Sequence, residues 1–313
     1  MAARVGSLNT TEAVRKRLQG RRFDLVEFAF QFVLLSALLL SLLILLVLLA
    51  NIFSGGIDVL LDRKMGFIKS GISSFSPATA GVWQGIVGSL VTLVFVIIFA
   101  IPLGIGAAVY LEEYAPNTRL SRFIDVNIRN LAGVPSIVYG LLGLALFVQL
   151  LRALTGGGTM IAAGLTLGTL VLPLVIITSA EALRAVPSAI REAGYGVGAT
   201  RWEVVRHHVL PAAAPGMLTG IVLSLARALG ETAPVLLVGA VTGFLAGGGA
   251  GIFEQMRTES GYTTLPTVIF QYASLPDADF RAITSAAIIV LLVVILTANA
   301  AAILLRNRYE RKC

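Results

Sequence analysis

Five long stretches of this chain carry no charged side chain at all: residues 33–52, 86–111, 131–151, 154–180 and 282–305. A sixth, residues 211–253, is interrupted only by Arg227 and Glu231. A bilayer core is crossed by roughly 20 apolar residues in helical form, because lipid offers no partner for an unpaired backbone N–H or C=O. Each stretch is therefore long enough to cross once. The pattern predicts an all-α polytopic membrane protein with about six transmembrane helices.

Charge supports this reading and fixes an orientation. Only 13% of residues are charged and 57% are hydrophobic, with a mean hydropathy of +0.88, whereas a soluble domain is about a quarter charged. The net charge of +7 would suit nucleic acid, but its distribution does not. With the N-terminus in the cytoplasm, six crossings place both termini inside. The inner segments then hold Arg4, Arg15, Lys16, Arg17, Arg21 and Arg22 before the first span. They also hold Arg119, Arg122 and Arg129, then Arg184, Arg191, Arg201 and Arg206, and finally Arg306, Arg308, Arg311 and Lys312. The outer segments hold fewer: Arg63, Lys64, Lys69, Arg152, Arg257 and Arg281. This is the positive-inside bias, so the basic charge reports topology and calls for no nucleic-acid partner.

The basic N-terminal stretch followed by an apolar one has the order of a signal peptide. The apolar run exceeds the roughly 7–15 residues of a signal core, and no small-residue cleavage site follows it, so an uncleaved anchor is expected. Residues 1–25 read as a cytoplasmic tail, 26–306 as the membrane domain and 307–313 as a second cytoplasmic tail. Outer segments are expected at 53–85 and about 244–281, and inner ones at 112–130 and 181–210. The only cysteine, Cys313, can form no disulfide within the chain.

Catalytic signatures are missing. The four lysines, Lys16, Lys64, Lys69 and Lys312, do not follow glycine, so there is no P-loop. His207 and His208 are adjacent and on a helix would point in different directions, which argues against a shared metal. Prolines at 102, 135, 173 and 234 lie within apparent spans. Together with abundant glycine they fit close helix packing, or kinked helices that line a pathway.

The inner segment 181–211 carries the most local information. Pro187 suits the first position of a short helix, on which Val186, Ile190, Ala193 and Val197 recur at helical spacing. Gly194, Gly196 and Gly198 are expected to form a flexible break. Thr200-Arg201-Trp202-Glu203 matches a capping box that opens a second helix ending near Pro211. Two short amphipathic helices around a glycine turn make either a docking knob or a pair lying flat on the lipid surface.

Glu192-Ala193-Gly194, then Gly198-Ala199, then Leu210-Pro211 resemble the EAA loop of ABC-transporter permeases that work with an external binding protein. In that family the loop couples the permease to a cytoplasmic ATPase. Gly194 stands where the usual motif has alanine, which softens the helix. Residues 131–140 (LAGVPSIVYG), 226–234 (ARALGETAP) and Thr264-Leu265-Pro266 resemble stretches of phosphate permeases, the last two the PstA-type subunit. The resemblance runs from about residue 85 onward.

It implies a type I ABC importer transmembrane fold in the inner (plasma) membrane. It also implies a homologous permease subunit, cytoplasmic ATP-binding subunits and an extracytoplasmic phosphate-binding protein as partners. This chain would hold no cofactor, with ATP and Mg on the ATPase subunit. Phosphate would be the substrate; sulfate, molybdate or phosphonate would be the alternative. An autonomous channel or secondary transporter leaves the EAA-like loop unexplained. An intramembrane enzyme would need more titratable groups within its spans.

Arg227 and Glu231 are four residues apart, on one face of a helix. A charge in mid-membrane costs about 2.5–3.5 kcal/mol on insertion scales, and so faces a partner or a cavity. The two form either a self-neutralising pair or a substrate site, in which the guanidinium fork meets a phosphate oxyanion, Glu231 positions Arg227 and Thr232 adds a hydroxyl.

Overall fold

The computed structural model describes residues 25–240 and 261–310. The chain divides into two compact units, Met1–Asn51 and Ile52–Cys313. Most of the two tails, Cys313, and much of the expected outer segment around 244–281 lie outside the described residues.

Among the described residues the fold is helical, with one isolated bridge between Ala240 and Tyr262. Helix α1 (Leu25–Arg63) begins in the first unit, where its side chains are exposed almost throughout. A helix that is apolar on every side suits a lipid environment. It continues well past the expected end of the first span, so residues 53–63 of the expected outer segment are helical.

Helices α2 (Met65–Lys69) and α3 (Trp83–Val109) follow, and α3 passes into a π turn, Tyr110–Tyr114. Next come α4 (Arg119–Ala132), α5 (Ser136–Gly143) with a π continuation Leu144–Leu150, α6 (Arg152–Thr155) and α7 (Met160–Arg184). The chain continues with α8 (Ser188–Gly196), α9 (Arg201–Val204), a π turn Val205–Val209 and α10 (Leu210–Gly230). Helices α11 (Ala233–Leu237), α12 (Leu265–Ser274) and α13 (Asp279–Glu310) complete it. Five of the described helical runs are long and apolar enough to cross a membrane, and six if the bent pair α4–α5 counts as one.

That pair corrects the expectation that residues 131–151 form one span. The axis turns by 102° at Gly133-Val134-Pro135. Proline lacks an N–H, clashes with the carbonyl four residues back and biases its predecessor away from helix. Pro135 cannot bond the Leu131 carbonyl, which instead accepts the Val134 N–H at 3.1 Å and the Tyr139 hydroxyl at 2.8 Å. The expected inner loop 112–130 is accordingly the π turn plus the amphipathic helix α4, capped by Thr118, whose hydroxyl accepts the Ser121 N–H.

The centre of the bundle is the contact between α3 and α7. On α3 the buried residues Gly88, Thr92, Val96, Ala100, Gly104 and Ala108 recur every fourth position, forming one stripe of mostly small side chains. On α7 a methyl group at Gly168 would lie 2.7 Å from Phe99 Cδ1, and one at Gly164 would overlap Phe95. Small residues on both helices let the backbones approach, as membrane packing requires. The abundant glycine of this region thus serves helix packing.

Candidate functional site

Two places in the fold gather the residues singled out from sequence. The first surrounds the end of α10. Pro234 would clash with the carbonyl four residues back, and that residue is Gly230, the last of α10. The helix breaks there, Glu231 adopts an extended backbone (φ −78°, ψ 126°) and α11 starts anew. Arg227 and Glu231 therefore do not sit within one continuous span; Arg227 is in the last turn and Glu231 just beyond it. They still meet, Arg227 Nε donating to Glu231 Oε1 at 3.4 Å. The Glu231 side chain is 19% exposed and that of Arg227 43%. Thr232 precedes α11, and its side chain makes no capping bond.

Three separate stretches converge on this break. A methyl group at Gly140 of α5 would come within 2.8 Å of Pro234 Cα. Tyr139 is buried in one cluster with Ala228, Val235 and Tyr262, and the Tyr262 hydroxyl donates to Val235 O at 3.4 Å. Thr264 lines a small cavity together with Glu231, Ser89 and Thr92. Ser89 accepts the Leu265 N–H at 2.8 Å, joining α3 to the start of α12. Residues 131–140, 226–234 and 262–266 thus form one locus. The motifs at 131–140, 226–234 and 264–266 are far apart along the chain, and no local pattern marks them as neighbours. Ser89 and Thr92 escaped notice, as isolated hydroxyls in an apolar run.

The second place is the segment 181–211. Helix α8 packs inward through Ile190 and Gly194, with Val186 buried just before it. Ala193 is exposed, and Val197 is 86% exposed, so the expected apolar stripe divides between two faces. Only Gly198 forms the turn, at φ +83°; Gly194 and Gly196 are helical. Gly194 is a close-packing position, not a softening one, since a methyl group there would lie 2.7 Å from Val204 Cγ2. The Ala199 N–H donates to Gly194 O at 3.2 Å, closing the turn.

The Thr200 capping box forms as expected. The Glu203 N–H donates to Thr200 Oγ1 at 3.4 Å, and the Thr200 N–H to Glu203 Oε2 at 2.8 Å. The helix it opens does not stop near Pro211. One π turn carries it into α10, and the Leu210 N–H reaches back to Val205 O. Proline is tolerated in the first turn of α10, where the register has just been reset. Leu210 and Pro211 are half-buried, whereas Glu192, His207 and His208 are exposed.

This end of the bundle is laced by ion pairs that sequence analysis missed, because their partners lie far apart along the chain. Arg184 Nε donates to Glu112 Oε2 at 2.8 Å, and Nη2 to Oε1 at 2.5 Å. Arg191 Nη2 donates to Glu113 Oε1 at 2.6 Å and Nε to the same oxygen at 3.1 Å. The hydrogen bonds to Glu113 raise the Arg191 pKa above its ordinary value. The Arg201 guanidinium lies 5.2 Å from the centre of the Tyr114 ring, a cation–π contact.

The profile of the family described as "Binding-protein-dependent transport system inner membrane component" matches residues 100–311. A phosphate transport system permease protein PstC of Mesorhizobium japonicum is 32% identical over 242 residues, 70% of this chain and 73% of that protein. A phosphate transport system permease protein PstA of Mycobacterium leprae is 44% identical over 163 residues, 50% of this chain and 51% of that protein. The chain spans 57% and 52% of the lengths of two probable ABC transporter permeases of Bacillus subtilis, YqgI and YqgH. Among solved structures, a subunit of a bacterial alginate ABC transporter covers 89% of this chain and 93% of its own, at a TM-score of 0.61 and 16% identity. That likeness establishes a shared fold.

Proposed function

Because the chain belongs to the family of binding-protein-dependent transport system inner membrane components, we propose that it is one permease subunit of an ATP-driven importer of inorganic phosphate. It would line half of the translocation pathway, with a homologous permease supplying the other half. The carrying observation is the convergence of three chain stretches on Arg227 and Glu231. Arg227 spends only Nε on Glu231. Its two Nη groups make no bond among those found in the described residues, which leaves donors in a planar fork suited to an oxyanion. Glu231, less exposed than Arg227, holds that fork in place and keeps the site from retaining the anion too tightly. Thr232, next in the chain to Glu231, would add a hydroxyl donor.

The segment around α8 would be the coupling element. Its outward face presents Glu192, Ala193 and Val197, and Trp202 of α9 is 52% exposed beside it. Apolar groups next to a carboxylate fit a groove on a cytoplasmic ATP-binding subunit, which would carry ATP and Mg. An extracytoplasmic phosphate-binding protein would deliver substrate at the opposite end. Binding to either face shifts the pathway between its open states, each ligand favouring the state it binds better.

The test is uptake of labelled phosphate into vesicles that contain the assembled transporter. Uptake that needs ATP and the ATPase supports the reading. Uptake that persists without them contradicts it and points to a channel or secondary carrier. Competition by sulfate or molybdate would reassign the oxyanion.

A further inference from the structure

Helix α8 is nine residues long, and its buried apolar contacts are few: Ile190, Gly194, and Val186 at its entry. So short a helix with so few apolar contacts is held by directed bonds as well. Arg191 supplies them. Besides the two bonds to Glu113 Oε1, its Nε lies 3.3 Å from Glu113 Oε2. Its Nη2 donates to Leu183 O and its Nη1 to Val186 O, each at 2.9 Å. One guanidinium therefore joins α8 that bears it, the last turn of α7 at Leu183 with the link that follows at Val186, and the π turn that ends α3. The Glu113 side chain is only 5% exposed and that of Arg191 22%.

We infer that the Glu113–Arg191 pair is the tie that carries movement of α8 into α3, and through α3 to the site at Glu231. The inference rests on the proposal that α8 docks on an ATPase. A buried ion pair is weak evidence of a stabilising role, because desolvation offsets most of its attraction. What it fixes is geometry: two forked groups with several directed bonds transmit displacement where a few side-chain contacts would slip. Helix α3 is suited to receive it. Val109, Leu111 and Tyr114 near its end pack in one cluster with Val186 and Ile190. Further along α3, Ser89 and Thr92 line the same cavity as Glu231. Glu113 and Arg191 act here as positioning residues, touching neither substrate nor nucleotide.

The experiment uses the assembled transporter in vesicles, with ATP hydrolysis and labelled phosphate uptake measured on the same preparation. The variants are Glu113→Gln, Arg191→Lys and the double change. If the pair is the tie, phosphate taken up per ATP hydrolysed falls about tenfold in each single variant, within the usual range of coupling between sites. The double variant is then no worse than either single one, as expected of residues acting as one unit. A purely structural role gives a different outcome: uptake falls only as much as the amount of assembled complex, with uptake per ATP unchanged. That result overturns the inference. Should Glu113→Gln fail to assemble, Arg191→Lys keeps the charge while removing the fork and discriminates the same two outcomes. Wild-type vesicles that hydrolyse ATP without importing phosphate overturn the transport reading and the tie together. Wild-type import with unchanged ratios in the variants overturns the tie alone.

Discussion

Gly140 packs directly on Pro234, so that a methyl group on the glycine would stand 2.8 Å from the proline Cα and equally close to Leu237 Cδ1. The contact joins two helices that both restart after a proline-induced break. It sets how far α5 stands from α11, and with it the surroundings of Glu231.

Enlarging Gly140 forces these two helices apart. Gly140→Val is expected to destabilise the protein by about 1–3 kcal/mol, as overpacking does in a closely packed interior. It should also reduce uptake by more than the loss of folded protein explains. The check is the thermal unfolding midpoint of the purified complex together with uptake per assembled transporter. An unchanged midpoint and unchanged uptake would show that the contact is not tight.

Arg227→Gln is expected to abolish phosphate uptake without preventing assembly, because the changed group is 43% exposed and its partner Glu231 keeps contact with solvent. Arg227→Lys keeps the charge but loses the planar fork, and is expected to retain only a small fraction of the rate. Uptake by Arg227→Gln at the wild-type rate would exclude Arg227 from the substrate path.

Gly194→Leu is expected to push α8 away from Val204 and weaken coupling. The contacting atom is a methyl of the buried, β-branched Val204, which has little freedom to turn aside, so the smaller Gly194→Ala is expected to cost less than Gly194→Leu without being neutral. Truncating the neighbour relieves the clash: Gly194→Leu combined with Val204→Ala should recover part of what Gly194→Leu alone loses, a positive interaction between touching residues. Strict additivity in an unfolding series would show that the two positions are independent.

Val197 is exposed and supports no core contact, so Val197→Asp should change stability by no more than about 0.5 kcal/mol. Binding of the ATPase should nevertheless weaken by about 1–3 kcal/mol, the range for a contact residue near the centre of an interface. Co-purification of the ATPase with the variant permease measures this directly. Undiminished association would place the docking face elsewhere on the segment.

Much of this was legible in the sequence, and the reasons differ by element. Charge-free length located five of the crossing helices, because a backbone in hydrocarbon must satisfy its own hydrogen bonds. The Thr200 capping box was legible because both of its bonds join residues three apart. The turn at Gly198 was legible for a similar local reason. What stayed hidden depends on three dimensions. Pro135 was visible, but apolar composition has no direction, so the 102° turn between α4 and α5 could not be read. Pro211 looked like a terminator, yet one π turn absorbs it and α9 runs on into α10. The division of Val186, Ile190, Ala193 and Val197 between two faces came from Gly194 seating on Val204, a contact across the turn. Glu113 and Arg191 lie far apart in the chain, and nothing local marks them as a pair.

The most direct test of the central claim is labelled-phosphate uptake into ATP-loaded vesicles that hold this chain, its partner permease, the ATPase and the binding protein, with sulfate and molybdate as competitors. Uptake that requires ATP, withstands both competitors and vanishes with Arg227→Gln is the predicted result. Uptake that continues without ATP, or that Arg227→Gln leaves intact, would contradict it.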